Sequence, residues 1–188
     1  MPTASVHMLL FFLGVMLFGN AVDAEAPPWA STPPQIVGSD RFANQLEKAL
    51  TLIKQQAPEA HQLIQENVGI IKQGKRSGMW AYKTPPVYEM ADPTTFYSVT
   101  WCAGTIAHDA LHSKLYHDYL AAHGEPVPDK VWTGRDAEIK CISFQLEILR
   151  RIGAPRHEVD YCAKLNGEHY DIDRDGKYEW EDYFKRNW

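Results

Sequence analysis

The chain has 188 residues, 45% of them hydrophobic and 23% charged, with a formal net charge of -5. That is enough apolar material for one compact domain and gives no reason to divide the chain in two. An acidic balance provides no basic stripe to follow a phosphate backbone, so it counts against a nucleic-acid partner and otherwise bears only on solubility.

The chain opens on the apolar run MLLFFLGVMLFG, followed by small residues at Val22 and Ala24, the layout of a secretory signal peptide over residues 1–24. The run is shorter than the roughly 20 apolar residues needed to span a bilayer. The expectation is therefore a secreted or periplasmic protein with no stable membrane insertion after cleavage. Export would bring Cys102, Cys141 and Cys162 to a compartment where disulfides form, allowing one internal bridge and leaving one thiol over. Three pairings are open, and Cys141 with Cys162 is the easiest, on two helices joined around Gly153 to Pro155.

Residues 25–39 read as a Pro-rich, weakly structured lead-in, and residues 40–188 as a single domain. From Asp40, the spacing of Phe42, Leu46, Leu50 and Ile53 predicts a helix with one buried face. Pro58 opens a second, shorter helix running to about Glu66. Between Val68 and Trp101 the runs VGII, MWAY and TFYSVTW are β-branched and aromatic, separated by the turn-rich KQGKRSG and TPPVYEMADP, and they predict two or three strands. A long helix follows over Ala103 to Ala122 and stops at HGEPVP. Another spans Arg135 to Ile152, and a short one Arg156 to Lys164. N-terminal helices, a small strand region and then a helix pair make an α+β fold.

The long helix carries the chemistry. His108 and His112 are four residues apart, so both imidazoles leave one face and can share a metal ion. Ile106, Ala107, Ala110, Leu111 and Leu115 make the rest of the helix apolar, which sets the pair at the edge of a packed interior. The bland reading is two partly buried histidines bonded to backbone or tyrosines. A third ligand is offered by Glu138, on the stripe Glu138, Cys141, Ile142, Gln145, Leu149, Ile152 of the next helix, where an unpaired carboxylate is costly. The alternatives are an ion pair with Arg135 or Lys140, or simple exposure near the helix start, where the dipole favours acids. His117, five residues beyond His112, is rotated away on a continuous helix and ranks below Glu138.

A strand, a helix with His-x-x-x-His and a downstream helix with Glu resemble the zincin metallopeptidases of the gluzincin type over roughly Val68 to Ile152. The resemblance implies a zincin-like fold, Zn²⁺ held by His108, His112 and Glu138, and hydrolysis of a peptide or protein substrate. It also implies Asp109 as general base, with Tyr116, Tyr119 or a strand tyrosine donating to the oxyanion. The family has Glu where this chain has Asp109. One methylene fewer leaves the carboxylate roughly 1 Å short of the attacking water unless the backbone compensates, so metal binding is implied more firmly than hydrolysis.

Near the C-terminus, DIDRDGKYEWED places Asp171, Asp173 and Asp175 at alternate positions before Gly176, with Asp182 twelfth. This resembles calcium loops of the EF-hand and dockerin kind and implies a structural Ca²⁺ that pins Trp180, Tyr183, Phe184 and Trp188 to the domain. An acidic solvated turn is the alternative. Two further enzyme readings share His108 and Asp109: an HD-domain phosphohydrolase, which would need His61 and Asp136, and a phospholipase A2-like hydrolase. The non-enzymatic alternative is a metal-stabilised secreted or periplasmic binding module, closed by a fourth ligand such as Cys141 or His117.

Overall fold

Ser39 starts the first long helix, its hydroxyl accepting from the Phe42 amide at 3.3 Å. The computed structural model describes residues 28–30, 32–168, 170–177 and 180–185, so the expected signal segment lies outside the described residues. Helix α1 (Asp40–Gln56) buries Phe42, Leu46, Ala49 and Ile53. Pro58 at the first turn of α2 (Pro58–Asn67) fits a position whose amide has no partner inside the helix. Both pack on α4 (Val99–His123), the central element of the fold.

The architecture is α+β, with a four-stranded sheet beside these helices. Strands β1 (Gln35–Val37), β2 (Ile70–Gly74) and β4 (Val87–Ala91) run parallel, and β3 (Gly78–Trp80) is an antiparallel edge strand on β4. Tyr88 pairs with Ile71 on one side and Met79 on the other, and is fully buried.

The strand region departs from expectation in three places. TFYSVTW is not a strand: it supplies the end of the short helix α3 (Asp92–Thr95) and the start of α4, where the Ser98 hydroxyl accepts from the Trp101 amide at 2.8 Å. That N-cap overrides the β-branched composition. The strand lies instead in VYEMA, whose acid and preceding prolines read as a turn although Tyr88 and Met90 alternate inward. The lead-in 25–39 contains β1, anchored where the Gln35 amide donates to the Gly69 carbonyl at 2.9 Å. Three residues are too few to show a period.

After α4 come the short helix α5 (Asp129–Trp132), then α6 (Gly134–Arg151) and α7 (Arg156–Cys162). Gly134 has φ +77, a left-handed conformation that lets the chain leave α5 and begin α6 within two residues. Helix α6 lies against α4 where Gly104 faces Leu149 and Gln145; a Cβ on Gly104 would meet Leu149 Cδ2 at 2.9 Å. The closing helix is α8 (Trp180–Lys185).

Cys102, Cys141 and Cys162 are free and buried. Of the three open pairings, the easiest, Cys141 with Cys162, is not formed here, since neighbouring positions of α6 point different ways. Cys162 packs with Ile142, its Sγ 3.8 Å from the Ile142 carbonyl, while Cys141 turns toward the histidines. Among the described residues no helix is long and apolar enough to cross a membrane.

Candidate metal centre

Position 108 and position 112 of α4 face α6, and Glu138 enters from the second turn of α6. The His108 and His112 Nε2 atoms are 3.0 Å apart. One Glu138 oxygen lies 3.3 Å from His108 Nε2 and the other 3.4 Å from His112 Nε2. All three side chains are buried. Among the described residues Glu138 Oε2 has no hydrogen bond of good geometry, and the carboxylate and both imidazoles face one common point. A tetrahedral site with bonds of about 2.0–2.1 Å spaces its donors about 3.3–3.4 Å apart; each imidazole stands at that spacing from a different carboxylate oxygen, and the two imidazoles are somewhat closer together.

The support behind the ligands is equally specific. His112 Nδ1 is 2.5 Å from the Trp132 carbonyl, an acceptor, so Nδ1 carries the proton and Nε2 turns toward Glu138. The short α5–α6 junction thus orients one ligand through Trp132 and supplies another at Glu138. Trp132 is itself held edge-on by Tyr116, with ring centroids 5.4 Å apart.

The electrostatics follow from this packing. Burial alone raises the Glu138 carboxyl, yet the facing His112 and His108 hold it well below the usual carboxylate range. Burial lowers the His112 imidazole, but Cys141 and Glu138 outweigh it and raise it well above its ordinary value. Cys141 completes the group: one donor atom each from His108, His112 and Cys141 lies within 4.8 Å of the others, and this buried cluster could hold a metal ion.

No family model, curated protein or solved structure matches the chain. The site is therefore read from its own residues.

His108, His112 and Glu138, but not Cys141, line a cavity of about 750 Å³ between the edge strand, α4, α6 and the C-terminal segment. Asp109 is buried at its wall. Burial pushes the Asp109 carboxyl up, with Glu138 adding to the effect against the pull of His108 and His112. Trp80 and Tyr97 line the cavity, whereas Tyr82 stacks edge-on against Trp80 and Trp132 and does not. Tyr116 and Tyr119 lie outside the lining. The strand tyrosine Tyr88 lines the cavity beside Asp109, and Tyr170 brings a further phenol to the centre, its hydroxyl 3.5 Å from His108 Nε2 and its ring stacked on that imidazole. Nothing in the local sequence marks Tyr170, which approaches across 62 residues of chain.

His117 Nδ1 turns back to the Ser113 carbonyl at 2.8 Å, away from the centre. Asp136 is exposed and, like His61, lines no part of the cavity. With the sheet present, the all-helical HD arrangement has no support.

The acidic loop brings Asp171, Asp173 and Asp175 within 4.8 Å of one another. The Asp171 carboxylate accepts from the Asp175 and Gly176 amides at 3.1 and 2.9 Å. Buried Asp182 accepts from the Ile172 amide at 2.8 Å and stands outside that group of three. Lys185 and Lys177 pair with Asp173 and Asp175.

Proposed function

We propose that this protein is an exported, metal-dependent hydrolase of peptide bonds, with Zn²⁺ held by His108, His112 and Glu138. The single observation that carries the reading is the convergence of two imidazoles and one carboxylate at 3.0 to 3.4 Å on the wall of a substrate-sized cavity. The chain order of β4, α4 and α6 supports the resemblance to gluzincin-type metallopeptidases.

When bound, zinc would polarise the substrate carbonyl and acidify the attacking water. The other roles fall to side chains. Asp109 takes the proton from water, and its burial shifts the carboxyl in the direction that makes it a better acceptor. Tyr170 donates its phenolic hydrogen to the oxyanion that develops on the carbonyl oxygen. Trp132 keeps His112 in the tautomer that ligation requires. In the same reading, the loop from Asp171 to Asp182 holds a structural Ca²⁺, and chelation of calcium lowers the melting temperature.

Cys141 supports a second reading, a closed four-ligand site in a non-enzymatic binding module. Hydrolysis of casein by zinc-loaded protein separates the two. Activity that disappears on chelation and in Asp109→Asn, while zinc content is kept, supports the enzyme. Absence of activity, together with zinc loss in Cys141→Ser as complete as in His112→Ala, supports the module.

A further inference from the structure

The cavity extends well beyond the metal centre. Trp101, Thr105, His108, Asp109 and His112 line it from one face of α4. At its far end sits Glu158 of α7, fully buried, with one carboxylate oxygen accepting from the Thr100 hydroxyl at 2.7 Å. The other oxygen, Oε1, has no partner among the described residues. Between Glu158 and the metal ligands lies Gln145, also buried and packed beside Gly104; its side-chain amide nitrogen likewise has no partner among them. It stands seven residues after Glu138 on the same stripe of α6.

We infer that this end of the cavity is a recognition subsite for a cationic side chain, lysine or arginine, of the peptide substrate. A buried carboxylate with one oxygen fixed and the other unpaired is costly, and a cation removes that cost. The other walls suit the same ligand. Tyr97 and Tyr161 are more than half exposed and flank Trp101 edge-on, with ring centroids 5.9 and 5.5 Å from it, giving an entrance of aromatic faces that attract cations. The Gln145 amide is placed to donate to a substrate backbone carbonyl.

The distance fixes the register. Thr100, which holds Glu158, precedes His108 by eight residues, roughly 12 Å along a helix at about 1.5 Å per residue. That is about three or four residues of extended chain, fewer when a long basic side chain covers part of the span. The subsite thus reads a residue removed from the scissile bond, and does not clamp the cleaved residue itself.

The inference rests on the reading that substrate enters this cavity, so its test uses metal-free protein and needs no hydrolysis. The probes are N-acetyl-lysine methylamide and its uncharged analogue N-acetyl-norleucine methylamide, titrated by NMR into wild type, Glu158→Gln and Tyr161→Ala. The lysine probe is expected to bind saturably and about tenfold or more tighter than norleucine. Glu158→Gln abolishes that preference and leaves norleucine binding unchanged, and Tyr161→Ala weakens the lysine probe several-fold. Equal binding of the two probes to wild type, no saturable lysine binding, or an undiminished preference in a folded Glu158→Gln overturns the inference. If Glu158→Gln does not fold, an undiminished lysine preference in Tyr161→Ala, a change at the cavity rim, overturns it. His112→Ala keeps the lysine preference even if the zinc reading fails, which separates the two claims.

Discussion

Replacing Glu138 by Gln keeps the side chain's shape and removes its charge from between His108 and His112, which lie 3.3 and 3.4 Å from its two oxygens. In metal-free protein the change leaves a buried imidazole without its counter-charge, so the variant melts below the parent. The diagnostic quantity is the increment that zinc adds to each. At free zinc about a hundredfold above the dissociation constant, binding stabilises the parent by about 2.7 kcal/mol. For a chain of this size class 1 kcal/mol moves Tm by about 2–4 °C, so zinc raises the parent's Tm by about 5–11 °C. Loss of the charged ligand weakens the site about a hundredfold or more, beyond the usual effect of a supporting residue. At the same zinc concentration the variant then gains only about 0.4 kcal/mol, a shift of about 1 °C. Differential scanning calorimetry with and without zinc reads both increments. An equal increment in parent and variant would refute the placement of Glu138 among the ligands.

Two further predictions concern the scaffold. Gly104→Val pushes a side chain into Leu149 where α4 and α6 meet, costing about 1–3 kcal/mol of overpacking. The helix propensity regained offsets no more than about 1 kcal/mol; urea denaturation should show net destabilisation, and a stabilised variant would contradict the close contact. The second concerns Cys102, fully buried, whose thiol burial pushes up from 9.0 to about 12. Because the unfolded chain releases this proton first, the thiol's contribution is complete below about pH 9 and is lost as pH rises toward 12. The slope is about 1.4 kcal/mol per pH unit. Urea midpoints at pH 8, 9 and 10 should fall less steeply in Cys102→Ala than in the parent, and parallel slopes would count against the shift.

How much of this was legible in the chain follows from the range of each signal. The i, i+4 spacing of His108 and His112 and the stripe through Glu138 are local patterns. Their meeting needed only that two amphipathic helices bury their apolar faces together, as α4 and α6 do. The lower rank given to His117 came from helix geometry alone and agrees with its bond to Ser113. Strand assignment failed where capping outweighed composition, at Ser98, and where alternation was short and flanked by prolines, at Val87–Ala91. Cysteine pairing was not legible because chain reversal brings helices together without saying which faces meet, and Cys141 and Cys162, both free here, present different ones. Tyr170 and Glu158 reach the cavity through contacts across 62 and 58 residues, and no local period encodes those.

The central claim is tested most directly by counting metal atoms. Wild-type protein and His112→Ala, each loaded with zinc and dialysed to equilibrium, are compared by elemental analysis. The geometry at His108, His112 and Glu138 predicts about one zinc per chain in the wild type and close to none in the variant. Equal zinc in the two, or none in either, would contradict it.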